Sequence, residues 1–298
     1  MDSAPSLAEL ARAADELLDT GAFPDDPPTI FRASARPVRR LGFALAPTAD
    51  VADRARDEGW DAVFLHRPWG AETLNLPDDA GILCSHAAFD ARLTLGANPH
   101  LAAALGMTGV EPFGEHRGRP VGMIGDAQPS GAASWHARLV AEFGGVEEVR
   151  GGGSVGSSCL AHPEGPPPPG PLPRSAGEGE NSEADGDPRV AENGVALPVG
   201  GPTIHRIAVV GAMTDALVRA AAEKGAGLYI TGQLRAPARR AIDETGIVAV
   251  AIGHERSEEH GLALLAALLA VRFPGLHVDA PGTARQNVRP IPIPPYTR

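Results

Sequence analysis

Five side chains with metal-ligating chemistry follow the ends of predicted strands. They are His66, His86, Asp90, His254 and Glu258. Imidazole and carboxylate donors together suit borderline or hard divalent ions such as zinc, iron, manganese or nickel. In open α/β sheets, ligand sites form at the carboxyl ends of the strands. The sequence therefore predicts a divalent metal site at the carboxyl ends of the strands in such a sheet.

Each of these residues also has a simpler interpretation. A single histidine after a strand is more often structural than a ligand, and Glu258 in the first turn of a helix would complement the helix dipole. The spacing of His254 and Glu258 alone does not separate these readings. Their shared position after strand ends favours a site. The other histidines, predicted to be surface or packing residues, are His100, His116, His136, His162, His205, His260 and His277.

Strands that alternate with helices must position these side chains. The predicted strands cover 62–65, 81–84 and 246–252, and the predicted helices cover 7–18, 98–105, 132–143 and 257–271. Such alternation is typical of the α/β class with parallel strands. Cys84, inside an apolar strand, is predicted to be a core residue and not a nucleophile.

Two segments of the chain repeat a strand–helix–strand format. The segment that begins at Arg40 and the one that begins at Arg206 keep the same register, offset by 166 residues, over 28 positions without a gap. Thr214 is a predicted helix N-cap, and Gly59 and Gly225 end the two predicted helices. A unit of this length is a βαβ motif. The identities are few, so the repeat indicates either an internal duplication or two units that share a format.

Composition limits the classes of function. The chain has 298 residues, with 26 Lys+Arg against 37 Asp+Glu, and a net charge of −11. This balance argues against nucleic-acid binding through bulk charge. Two cysteines exclude both a disulfide framework and a cysteine-rich zinc site. The start of the sequence lacks a signal pattern, and the apolar stretch 262–271 is about half the length that spans a bilayer. We therefore expect a cytoplasmic protein without membrane contact.

A low-complexity stretch interrupts the chain between residues 151 and 203. It is rich in Gly, Pro, Glu and Ser and carries few large apolar residues, so we predict a disordered insert. Residues 1–150 are predicted to form an N-terminal α/β lobe. Residues 204–298 are predicted to form a C-terminal α/β lobe that completes the metal site.

At these residues the sequence resembles the NIF-three-like dinuclear metal-centre proteins, also called GTP cyclohydrolase I type 2 homologues. The matching motifs, in the order of that family, are His-Arg-Pro at 66–68, Ser-His-Ala-Ala-Phe-Asp at 85–90, Ile-Thr-Gly-Gln at 230–233, Gly-His-Glu-Arg-Ser-Glu at 253–258 and Phe-Pro-Gly-Leu at 273–276. The match covers about residues 1–150 and 204–290. The motif at 253–258 is intact and is the most specific part.

The resemblance implies a fold, an assembly and a ligand set. Two similar α/β lobes agree with the repeat, and relatives often form toroidal hexamers, so a homohexamer is expected. The ligands that carry over are His66, Asp90, His254 and Glu258, with the two carboxylates holding two ions together. His86 would lie beside them.

Departures from the family pattern change the expected metal content. Arg67 stands where the family has its second histidine, and a guanidinium cannot ligate a cation. Four ligands remain, so we predict one ion per chain. Arg67 would either pair with a bridging carboxylate or bind an anionic substrate group such as phosphate. Ala87 and Ala88 also replace polar residues, and a site that has lost its metal altogether is the competing interpretation.

Two classes of function follow from the resemblance and its departures. In the first, the chain is a metal-dependent hydrolase of a small phosphorylated or nucleotide-like substrate, with His86 or Glu255 as candidate general base. In the second, it is a non-catalytic metal-binding assembly or a regulatory protein with a protein partner.

Overall fold

The computed structural model describes residues 4–116, 118–152, 203–281 and 291. The insert predicted over 151–203 lies outside these residues, apart from its ends at 151, 152 and 203. Its disorder therefore stays a prediction. Within the described part of the chain, no helix is long and apolar enough to cross a bilayer.

The described helices and strands alternate along much of the chain. The helices are α1 (Leu7–Leu18), α2 (Ala49–Asp57), α3 (Ala87–Leu93), α4 (Pro99–Ala104), α5 (Ala132–Phe143), α6 (Asp215–Glu223), α7 (Arg239–Thr245) and α8 (His254–Arg272). The strands are β1 (Ile30–Arg32), β2 (Arg40–Ala44), β3 (Ala62–Leu65), β4 (Gly81–Cys84), β5 (Met107–His116), β6 (Arg119–Ser130), β7 (Glu148–Arg150), β8 (Ile204–Val210), β9 (Leu228–Thr231), β10 (Val248–Ala251) and β11 (His277–Asp279). The helices predicted over 7–18 and 132–143 are confirmed with the same bounds.

Two sheets form the two lobes. The first has the strand order β1-β4-β3-β2-β11, in which only β1 runs antiparallel to its neighbour. The second has the order β5-β6-β8-β9-β10-β7, with the parallel strands β8, β9 and β10 at its centre. Strands β3, β4, β9 and β10 are buried along their whole length, which explains their continuous apolar sequences. The two-lobed α/β class is confirmed.

The predicted repeat is present in the structure as two matching βαβ units. The unit β2-α2-β3 lies in the first sheet and β8-α6-β9 in the second, and the bounds of α2 and α6 differ by the same 166 residues. Both helices begin in the same way, because Thr48 and Thr214 accept a hydrogen bond from the backbone N–H three residues on. The same local chemistry therefore starts both helices.

The lobes exchange segments, so they do not coincide with residues 1–150 and 204–298. Strands β5, β6 and β7 join the second sheet, with Met123 of β6 opposite Val209 of β8. Strand β11 returns to the first sheet beside β2. Helix α8 also packs on the first lobe, where Leu265 is buried in the same core as Phe43. Each of these segments joins the lobe against which it buries its apolar side chains. The residues that it packs against lie far away along the chain.

Helix α8 approaches α3 closely at Gly261. A Cβ atom at this position would lie 2.7 Å from Cζ of Phe89 and 3.1 Å from the backbone O of Leu93. The absence of a side chain therefore permits the contact between the two helices. Both helices carry candidate ligands, so this contact also sets the distance between those ligands.

We predict that Gly261→Ala destabilises the protein although alanine is the better helix former. Overpacking against Phe89 and Leu93 should lower the free energy of unfolding by roughly 1–3 kcal/mol, as measured by urea denaturation. Gly275→Ala is the matched control, because a Cβ there meets nothing within 4 Å. Equal stability of the two variants would contradict the close-approach argument.

Candidate metal site

His66 lies directly after β3 and is fully buried. Its Nδ1 is 3.1 Å from the backbone O of Ser85, which follows the neighbouring strand β4. Because a carbonyl oxygen only accepts hydrogen bonds, we assign the proton to Nδ1. In the neutral ring the lone pair is then on Nε2, which is the state of a metal-ligating histidine.

The Nε2 atom of His66 faces two carboxylates. It lies 3.1 Å from Oε1 of Glu258 and 3.3 Å from Oδ1 of Asp90. Three electron-rich atoms at these distances repel one another unless positive charge lies between them. Either a proton on Nε2 or a metal ion at this point supplies that charge.

Glu258 is the centre of the cluster. Its side chain is only 2% exposed, and the carboxylate divides its two oxygens between different partners. Oε2 accepts a hydrogen bond from Nη2 of Arg67, and Oε1 faces both His66 and His254. Burial raises the pKa of Glu258, but the hydrogen bonds from His66 and Arg67 outweigh it and bring the pKa to about 2. The group is therefore an anion at neutral pH.

His254 begins α8 and lies one turn before Glu258. Its Nε2 is 3.2 Å from Oε1 of Glu258, and its side chain is 68% exposed. The helix was predicted to begin near Ser257, which would have placed His254 in the preceding turn. It begins three residues earlier, after Gly253 with a φ of 106°. His254 and Glu258 therefore share one face at the i, i+4 spacing.

Asp90 reaches the cluster from α3, a helix that sequence patterns did not predict. Partial burial raises the pKa of Asp90 to about 6. The residue before the helix, His86, provides no side-chain cap. Instead the carboxylate of Asp26 accepts hydrogen bonds from the backbone N–H groups of residues 86, 87 and 88 at 3.0–3.3 Å. Asp26 thus fixes the start of the helix that carries Asp90.

His86 stacks on the ring of His66, with ring centroids 4.8 Å apart and planes 13° apart. The donor atoms of His66, His86 and Asp90 lie within 4.8 Å of one another, close enough to hold a metal ion. Burial lowers the pKa of His86, so its ring is neutral near pH 7. Trp69, which is 61% exposed, meets the other side of His86 edge-on.

The predicted site residues therefore converge to different degrees. Nitrogen atoms of His66, Arg67 and His254 face the carboxylate of Glu258. Asp90 lies 3.3 Å from Nε2 of His66, and His86 stacks on the His66 ring. Glu255 is exposed in the first turn of α8. The hydrogen bond to Glu258 raises the pKa of Arg67, and the nearby charge of Glu255 adds to this effect. Asp26 and the carbonyl of Ser85 were not predicted, because contacts that depend on distant segments leave no local pattern.

Comparison with known proteins gives the same family as the sequence motifs. Residues 189–284 match the family model of Duf34/NIF3 (NGG1p interacting factor 3). A protein of Pyrococcus abyssi named GTP cyclohydrolase 1 type 2 homolog is 23% identical over 289 residues, which is 92% of this chain and 97% of that protein. The resemblance to the NIF-three-like proteins is confirmed.

Solved structures support the fold. A Bacillus cereus protein related to NIF3 superposes with a TM-score of 0.62 at 14% identity, over 97% of this chain and 100% of that one. A protein from Thermus thermophilus gives a TM-score of 0.61 at 18% identity, over 93% and 98%. At such identities the likeness extends to the fold alone.

We predict that Asp26→Ala weakens both the fold and the metal site. Loss of the cap on α3 should cost about 0.5–2 kcal/mol in the free energy of unfolding. Because Asp90 then loses its fixed position, divalent metal affinity should fall about tenfold or more. Asp25→Ala, at an exposed neighbour, is the control. If both variants titrate with metal alike in calorimetry, Asp26 does not position the site.

Cys84 should not contribute thiolate chemistry. It is buried in β4, and burial raises the pKa of its thiol to about 12 from a usual 9.0. At pH 8 the thiolate should be roughly a thousandfold scarcer than for an exposed cysteine. In a Cys159→Ser variant, a maleimide should therefore label the native protein slowly and the urea-unfolded protein rapidly. Fast labelling of the native protein would show that the thiol is accessible and reactive.

Proposed function

We propose that this chain, a relative of the Duf34/NIF3 proteins, binds one divalent metal ion and uses it to hydrolyse a small phosphorylated or nucleotide-like substrate. The ligands in this proposal are His66, Asp90, His254 and Glu258. Their imidazole and carboxylate donors suit zinc, iron, manganese or nickel.

The observation that carries the proposal is the convergence of Nε2 of His66 with the carboxylate oxygens of Glu258 and Asp90. With one proton of His66 on Nδ1, these atoms at 3.1 and 3.3 Å need positive charge between them, from a second proton on Nε2 or from a metal ion, and our proposal takes the ion. Adjacent donors that bind one ion at about 2.0–2.1 Å in a tetrahedron lie about 3.3–3.4 Å apart. The observed separations are close to that value. His254, 3.2 Å from the same oxygen of Glu258, adds a fourth donor.

The number of ions follows from Arg67. A carboxylate that bridges two ions gives one oxygen to each, but here Arg67 occupies the second oxygen of Glu258. Its guanidinium supplies fixed positive charge and cannot ligate a metal. One ion per chain, beside a permanent cation, is therefore the arrangement we propose.

The residues around this point suit hydrolysis. A divalent ion bound there would act as a Lewis acid toward a water molecule and a substrate oxyanion. His86 is neutral near pH 7 and lies against His66, so it can accept a proton as general base. Glu255 is exposed and is the weaker candidate for that role.

The alternative is a metal-binding assembly or regulatory protein without turnover. It is favoured by Ala87 and Ala88, which put methyl groups in the first turn of α3, beside His86. In that case copies of this chain, as in the expected hexamer, or another protein would be the partner. A screen of phosphoesters and nucleotides with the metal-loaded protein separates the two, because turnover that His254→Ala abolishes supports the hydrolase alone.

We predict about one divalent ion per chain for protein purified without chelator or nickel affinity resin, as measured by elemental mass spectrometry. His254→Ala should lower metal affinity about tenfold or more, and because its side chain is exposed, its loss should leave the core intact. His205→Ala, at an exposed position on β8, is the control. Metal-free wild-type protein would contradict the proposal.

The Arg67→His variant tests the count of ions separately. A histidine there restores a ligand and removes the guanidinium from Glu258, so the content should rise to about two ions per chain. An unchanged content of one ion would mean that Arg67 does not set the stoichiometry.

A further inference from the structure

A cavity of about 330 Å³ lies beside the candidate metal site. It is enclosed by α3, the tip of the β5–β6 hairpin, the loops that follow β8 and β9, and the start of α8. It therefore lies at the carboxyl ends of the parallel strands of the second sheet, where α/β folds place their ligands. Asp90, His254 and Glu258 form one wall, so the cavity opens directly onto the cluster.

The remaining walls present mostly small apolar groups, with Ala91, Leu95, Val121 and Ala212 among them, while His116 and Arg119 add polar side chains at the hairpin end. The two hydroxyl groups in the lining are already bonded. Thr94 donates to the backbone O of Asp90 and Ser257 to that of His254, both at 2.7 Å. They therefore offer little polar attraction to a ligand.

The end of the cavity near the hairpin is held by Arg119. Its guanidinium donates to the backbone O of Ala22 and lies 4.3 Å from the centre of the ring of Phe23. These contacts fasten the hairpin to the segment that precedes Asp26. Arg119 keeps its positive charge in these contacts and lines the cavity, whereas Arg67 is not among the lining residues.

We propose that this cavity is the substrate pocket, and that the substrate is a small oxyanion bearing one compact apolar group. This inference rests on the metal-dependent function proposed above. The oxyanion lies at the metal, on the wall that Asp90, His254 and Glu258 form, and the apolar group fills the cavity between α3 and the loop after β8. A volume of about 330 Å³ is at the small end of ligand pockets, so the apolar group that the cavity holds is compact.

The structure provides a matched pair of variants for testing the pocket. Ala212 lines the cavity in the loop between β8 and α6. Ala46 occupies the equivalent position of the repeat, between β2 and α2, and is half-buried but does not line this cavity. Ala212→Phe should fill the cavity, whereas Ala46→Phe adds the same side chain elsewhere. Val121→Phe fills the cavity from the neighbouring strand β6 and leaves the sequence of the loop unchanged.

The probes are phenylphosphonate and methylphosphonate, which share an oxyanion and differ in the apolar group. We expect calorimetry with the metal-loaded wild-type protein to show phenylphosphonate binding about tenfold or more tightly, since the ring is removed from water. In Ala212→Phe and Val121→Phe this preference should fall towards one, while methylphosphonate affinity stays the same. Ala46→Phe should keep the wild-type preference.

Metal content is measured on the same samples, so the two proposals can fail separately. If the wild-type protein holds its ion but binds both phosphonates equally, or binds neither, the pocket assignment is wrong and the metal site stands. The same conclusion follows if the preference survives in both cavity-filling variants with their ion in place. A wild-type protein without metal overturns the proposed function and the pocket together.

Discussion

The buried carboxylate of Glu258 is the constraint on which the rest of the site depends. Removing a carboxylate from water costs several kcal/mol unless charged or hydrogen-bonding partners compensate it. Arg67 neutralises one oxygen, and His66 and His254 face the other. His66 and Arg67 follow a strand of the first sheet, whereas Glu258 follows a strand of the second. The contacts that compensate the charge of Glu258 therefore connect the two lobes.

The fold brings these groups together by directing the carboxyl ends of both sets of parallel strands to one place. Strands β3 and β4 deliver His66 and the carbonyl of Ser85, and β10 leads into α8. Helix α8 then packs its apolar face on the first lobe, with close contact to α3 at Gly261. The exchange of α8 and β11 into the first lobe therefore fixes the geometry of the site as well as the core.

Arg67 places a fixed positive charge beside Glu258, and its guanidinium cannot itself ligate a metal. The cavity beside Asp90 and Glu258 has mostly apolar walls, with His116 and Arg119 at the hairpin end. These features suit the proposed ligand, which has one charged end at the cluster and one apolar end in the cavity.

The sequence alone determined the parts whose signals are local. Two βαβ units could be predicted because apolar runs, the cap at Thr214 and glycines at the helix ends all act within a few residues. The candidate ligands could be predicted because each follows a strand end and the motif at 253–258 is intact.

Tertiary structure decided what depends on distant partners. Helix α3 has seven residues, and its cap comes from Asp26, about 60 positions earlier. The hairpin strands and α8 join their lobes because their apolar side chains pack against residues that are distant in the sequence. A contact between remote segments leaves no periodicity in either one, so only the folded chain shows it.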